Sequence, residues 1–214
     1  MSPATSRHVF RRIAGGLLAA AVGGTVLAGC TAGTVPSATL SPAASPSVDS
    51  STPVAVATES NPPGDIPDNQ VYVDFQVPGT SVHVKVPEGW SQSGSGQDAS
   101  FTDKLNSVEI AVSAAGSVPT VASVTSADVP SLTSAVSNFA LGDVTAVTRK
   151  GGDAVLLTYE ADSAPDSVTN KVVRDAIERY TFYSKGTRVD LTLTGPKGAD
   201  NVDPWRIVSD SVTL

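Results

Sequence analysis

Strong nucleophiles and general bases are scarce in this 214-residue chain: one cysteine, Cys30, and two histidines, His8 and His83. A serine hydrolase needs an imidazole beside a serine held on a sharp turn, and the Gly-x-Ser-x-Gly elbow that would present one does not occur. His83 stands between Val82 and Val84 on the polar side of an alternating run, and reads as an exposed strand histidine rather than a general base. A metal needs clustered His, Cys or carboxylate ligands. Asp98, Asp103, Asp200 and Asp203 are too scattered for that, and the last two are better placed to cap a helix. Gly94-Ser95-Gly96 lacks the Gly-Lys-Ser/Thr ending of a phosphate loop and is expected to be a mobile loop beside Trp90, placed to cover a pocket. Paired carboxylates for glycoside hydrolysis are a spatial property, and 21 acidic residues offer many chance pairs. The residues therefore name no catalytic group, no metal ligand and no cofactor.

Cys30 has another chemistry open to it. It closes the run Leu27-Ala28-Gly29-Cys30, after a leader in which Arg7, Arg11 and Arg12 precede an uncharged stretch of Ala, Gly, Leu and Val. That run resembles the lipobox of bacterial lipoproteins. The resemblance implies cleavage between Gly29 and Cys30 and a diacylglyceryl group on the Cys30 sulfur. A membrane-spanning helix needs about 20 consecutive apolar residues. The leader is shorter and is broken by Gly15, Gly16, Gly23 and Gly24, so it reads as a cleaved signal (residues 1–29) rather than a permanent anchor. Two acyl chains on one residue give stable attachment, each buried CH₂ adding about 0.8 kcal/mol. The expected location is the extracytoplasmic face of a bacterial cytoplasmic membrane.

Residues 30–69 follow as the lipidated cysteine and a stalk of Ser, Thr, Ala, Val and Pro, without an aromatic residue, Lys or Arg. Such a segment buries too little apolar surface to offset the entropy of ordering it. It is expected to be a disordered tether of roughly 35 Å mean span. All aromatic residues beyond the leader lie between Tyr72 and Trp205, which places one globular domain at residues 70–214. Once the leader is removed, 11 basic residues face 21 acidic ones, which argues against a nucleic-acid surface.

The domain pattern is that of an antiparallel sheet with two helices. Val71, Val73, Phe75 and Val77 alternate with polar residues, as do Val82, Val84 and Val86, with Pro78-Gly79 between the runs as a turn. Further strands are expected around Val108 to Val112, on both sides of Gly151-Gly152, and on both sides of Lys185-Gly186, seven in all. Val129, Leu132, Val136 and Phe139 recur at helical spacing, which predicts a helix over 126–139 capped by Ser126 or Asp128. A second helix is expected from an Asp203 N-cap, with Pro204 at its first position and Val202 and Ile207 as a hydrophobic staple.

The stretch Val84-Lys85-Val86-Pro87-Glu88-Gly89-Trp90 resembles the opening of PsbP-like domains. With the strand bearing Phe101, the helix and the terminal Trp205, the chain looks like the LpqN/LpqT-type lipoproteins of actinobacteria. That resemblance implies an α+β fold, an antiparallel sheet flanked by helices as an α/β/α sandwich, and a binding or adaptor role without enzyme activity. It implies service in glycolipid or mycolate transport, with an envelope transporter or a glycolipid as partner. Trp90, Phe101 and Tyr183 are the candidate lining of a ligand groove, since such sites are concave and mostly apolar. The alternatives are an envelope esterase or glycosidase, and a purely structural surface antigen.

Overall fold

The computed structural model describes residues 62–214. The leader, Gly29, Cys30 and most of the expected stalk lie outside the described residues. Among the described residues nine strands form: β1 (Tyr72–Gln76), β2 (His83–Pro87), β3 (Ser91–Ser95), β4 (Asp98–Asp103), β5 (Asn106–Ala114), β6 (Ser137–Arg149), β7 (Gly152–Asp162), β8 (Arg174–Ser184) and β9 (Thr187–Pro196). Seven of them make one antiparallel sheet in the order β3-β4-β5-β9-β8-β7-β6, and β1 and β2 make a separate hairpin. The fold is α+β, as expected.

Local chemistry explains the tight turns. Lys185 and Gly186 both have positive φ (46° and 85°), the two-residue turn whose twist matches that of the strands it joins. The 150–152 turn closes against the chain's last segment, because a Cβ on Gly151 would strike the Val212 carbonyl oxygen.

Val189, Leu191 and Leu193 of β9, with Tyr180 and Phe182 of β8, point to the first face of the sheet. There they meet Val82, Val84 and Val86 of the β1–β2 hairpin and Trp205, Val208 and Val212 near the C-terminus. The second face carries Val155, Leu157, Tyr159 and Ile177, covered by the long connection from β5 to the far edge strand β6. Helical layers therefore lie against both faces, and the aromatics of β8 divide between them.

That connection differs from the helix expected over 126–139. It starts with α1 (Val121–Ser123), where Thr120 and Ser123 form a reciprocal capping box. A π-helical turn (Val124–Asp128) follows, and then α2 (Val129–Ala135) with Pro130 in its first turn, where a missing N–H costs nothing. Val136 turns extended, so Phe139 belongs to β6 and stacks on Tyr159 with centroids 5.1 Å apart. Asp128 does not cap; its carboxylate accepts from Arg188 Nη2 at 2.8 Å.

Three more expectations change. Ser91–Ser95 is an edge strand, not a loop, although all five residues are exposed. Gly94 fits there because any side chain would strike the Asp98 carbonyl. The C-terminal helix α3 (Val202–Asp210) begins one residue before Asp203, with no side-chain cap, and exposed Val202 and Ile207 form no staple. Its Asn201 flank is occupied elsewhere, as described below. The packed chain also reaches back past Gln70, for Ile66 is buried in the core. Residues 62–68 therefore belong with the domain rather than with the tether.

Candidate functional site

An open groove of about 420 Å³ lies on the first face of the sheet, where α3 and the β1–β2 hairpin leave β7 and β6 uncovered. The antiparallel register builds its floor: Gly195 of β9 stands beside Ala176 of β8, which stands beside Glu160 of β7, and Glu178 stands beside Thr158. One wall is the start of α3, with Val202 and Trp205, together with Pro196 and Ala199; the other is Ala140, Leu141 and Gly142 of β6. Missing side chains keep the channel open. A Cβ on Gly195 would meet the amides of Asn106 and Asn201 and the Trp205 ring, and one on Gly142 would meet Thr158.

The polar groups are arranged in two sets. Glu178 Oε2 accepts from the Tyr180 hydroxyl at 2.7 Å, and that hydroxyl accepts from Arg149 Nη2 at 2.7 Å. Arg149 also lies over the Tyr180 ring, 4.8 Å from its centroid. Burial pushes the Tyr180 hydroxyl up, so it stays a donor. At the other end Glu160 is held by Lys197 Nζ at 2.7 Å and Arg174 Nε at 3.2 Å. The hydrogen bond from Lys197, helped by Arg174, holds the Glu160 carboxyl below its usual range despite some desolvation. Two carboxylates thus line the groove, but Glu160 is paired and ionised, which does not suit a proton-donating acid.

Asn201 fixes the wall that α3 provides. Its Oδ1 accepts from Ile66 N at 2.9 Å, and its Nδ2 donates to Gly64 O and Asn106 Oδ1, both at 3.0 Å. Asn201→Ala would leave a buried N–H and a buried amide oxygen without partners. It is expected to lower the unfolding free energy by about 2–3 kcal/mol, read by urea denaturation.

The groove residues expected from sequence do not come together. Phe101 is buried in the core, edge-on to Phe75 with centroids 5.0 Å apart. Trp90 lines a smaller hollow of about 160 Å³ with Pro67 and Asn106, on the side where the chain joins the domain. Tyr183 pairs with Arg188 on the opposite face of the sheet from Phe182. Trp205, buried in the core on its other side, is the aromatic that borders the groove. His83 Nδ1 lies 2.7 Å from Asp74 Oδ2 on the outer hairpin, and His83 is not part of the groove lining. Among the described residues no three His, Cys, Asp or Glu side chains gather closely enough to hold a metal.

Beneath α2, on the second face, the Asp190 carboxylate accepts from Thr181 Oγ1 at 2.7 Å and is paired with Arg188 Nε at 2.9 Å and Arg179 Nη2 at 3.0 Å. Asp175 lies on the same face without such partners. Burial, reinforced by the Asp162 charge and opposed by Arg174, pushes its carboxyl up to about 6. Below about pH 4 the group is protonated both folded and unfolded, and it costs nothing. Between about pH 4 and 6 the unfolded chain ionises it while the folded protein keeps it protonated, so a penalty of about 1–2 kcal/mol develops over that window, after allowance for solvent screening, and is fully present above pH 6. Asp175→Asn is therefore expected to raise the melting temperature above pH 6 and leave it unchanged below pH 4.

No protein-family model matches the chain, and no curated protein matches it. Among solved structures it is similar to PA94, a protein of unknown function from Pseudomonas aeruginosa, with 14% identity over 63% of this chain and 91% of that one, at a TM-score of 0.40. It is similar to the Ran-binding protein Mog1p of Saccharomyces cerevisiae, with 9% identity over 66% and 87%, at a TM-score of 0.44. It is also similar to LpqN, involved in cell envelope biogenesis of Mycobacterium tuberculosis, with 17% identity over 67% and 89%, at a TM-score of 0.39. At these identities the likeness bears on fold alone, and no ligand, activity or partner is carried over from it.

Proposed function

We propose that this chain is a non-enzymatic module of a bacterial cell envelope, held by a diacylglyceryl group on Cys30 at the outer face of the cytoplasmic membrane. Its domain binds an amphiphile of the glycolipid class in the groove beside Trp205 and presents it to an envelope transporter. The anchor is supported by the lipobox-like run ending at Cys30. The binding role is supported above all by the groove, where one channel joins apolar walls at Leu141, Val202 and Trp205 to hydrogen-bond acceptors at Glu178 and Thr158. An acyl chain suits the walls, and the hydroxyls of a headgroup suit the acceptors.

Incubating a soluble fragment, residues 55–214, with envelope glycolipid extracts and recording native mass spectra tests this. The expected result is a one-to-one amphiphile adduct. Spectra with no adduct from any extract would overturn the binding role.

The rival reading, an envelope esterase or glycosidase, draws on the two carboxylates of the groove. It requires turnover that disappears in Glu178→Gln, and the ion-paired state of Glu160 speaks against it.

A further inference from the structure

We infer that the rim of the groove at one end of the sheet is a lipid-facing lip, pressed against the bilayer from which the amphiphile is taken. This rests on the anchored reading of Cys30 given above. The register brings the parts of the rim together. Ser107 pairs with Thr194, Ser137 with Asp162, Asp162 with Arg174, and Asp175 with Pro196, so the loops 163–173 and 197–201 leave the sheet side by side. The chain coming from Cys30 joins the domain at the same end. Gly64 O accepts from Asn106 Nδ2 and Asn201 Nδ2, Asp65 Oδ1 accepts from Asp200 N at 2.9 Å, and a Cβ on Gly64 would strike Pro196. A flexible tether ending there does not fix the orientation, but it brings the mouth of the groove, rather than the hairpin turns of the far end, within the shortest reach of the membrane.

Apolar side chains stand in solvent around that mouth. Val168 is 89% exposed, Val202 71% and Val172 51%, and Leu141 projects from the β6 wall. The loop carrying Val168 has a set shape: Asp166 Oδ1 accepts from Val168 N, Thr169 N and the Thr169 hydroxyl. Single exposed valines are ordinary on protein surfaces. Gathered at a groove mouth where a tether also arrives, they fit shallow insertion among acyl chains.

Charge attraction does not supply the contact, because Asp65, Asp103, Glu160, Asp162, Asp166, Asp200 and Asp203 outnumber Lys104, Lys171, Arg174, Lys197 and Arg206 there. The anchor supplies effective concentration instead. Contact with anionic vesicles should therefore strengthen, not weaken, as salt screens the repulsion.

The test uses the full lipidated chain in phosphatidylcholine vesicles and in matched vesicles containing phosphatidylglycerol. Cysteine is introduced as Val168→Cys or as Val118→Cys and labelled with an environment-sensitive fluorophore. Val118 is an exposed control near the far end, where Ala115 N donates to Gly186 O. Lipidated Cys30 leaves no other thiol, so the parent chain should take no label. The expected result is a blue shift at 168 and quenching by acyl-chain nitroxides about two-fold or more above that at 118, rising with salt on the anionic vesicles. Equal or absent quenching at both sites, with an unlabelled parent, overturns the lip and leaves the anchor standing. A parent chain that labels at Cys30 overturns the anchor and the lip together, while amphiphile binding by residues 55–214 is scored separately.

Discussion

Asp190→Ala should lower the unfolding free energy of the domain by about 3–5 kcal/mol, which makes it one of the most damaging single substitutions available. Asp190 is 9% exposed and answers two guanidinium groups at once, Arg188 and Arg179, while also accepting from Thr181. Removing the carboxylate strands Arg179 in a low-dielectric layer and leaves Arg188 with Asp128 alone, and stranded charge costs far more than an ion pair gains. Arg188 also reaches Asp128, so the loss should loosen the helical connection over the second face. Removing Arg179 together with Asp190, in favour of apolar residues of similar volume, should recover most of the stability, because Arg188 keeps Asp128 and the cost lies in the unpaired charge. Urea denaturation of the single and double variants decides the matter. A loss below about 1 kcal/mol in Asp190→Ala would mean that solvent screens the cluster as it does surface pairs.

Ala176→Phe should weaken amphiphile binding about tenfold or more, some 1.4 kcal/mol or above, without harming the fold. Ala176 is an exposed position on the groove floor between Gly195 and Glu160, so an added ring has only the channel to occupy. Exposed substitutions away from caps and cores usually stay within about 0.5 kcal/mol in stability. Ala176→Ser, which adds a single oxygen atom, should bind nearly as the parent does. Native mass spectra at equal ligand concentration read the adduct fraction, and a thermal melt read beside them separates blockage from unfolding.

Much of the sheet is legible in the sequence because it rests on alternation and turn chemistry. Val82, Val84 and Val86 point inward as their spacing requires, and Lys185-Gly186 makes the turn its composition favours. Ser91–Ser95 is not legible: an exposed edge strand held by backbone pairing has no apolar alternation to betray it. Val136 and Phe139 mislead because their spacing from Val129 and Leu132 is helical, yet they reach the same second-face core from an extended chain. The groove is hidden for a different reason. Its floor depends on small residues at 176 and 195 and one wall on Gly142, on three strands that only the register brings together, and its other wall on a tryptophan whose helical spacing signals core. Asp190, Thr192 and Arg188 alternate with apolar neighbours and would pass for a solvated face, although that face is covered. Trp90 and Tyr183 show the converse: being aromatic in a strand-rich stretch does not say which surface a side chain joins.

The most direct test of the account is quenching of Trp205 by an acyl amphiphile brominated along its chain, titrated into Trp90→Phe protein so that Trp205 is the sole indole. The expected result is saturable quenching whose midpoint Ala176→Phe moves about tenfold or more to higher amphiphile concentration, with no saturable quenching in the reciprocal Trp205→Phe protein. Saturable quenching that follows Trp90, or none at Trp205 while amphiphile remains bound, would place the ligand elsewhere and contradict it.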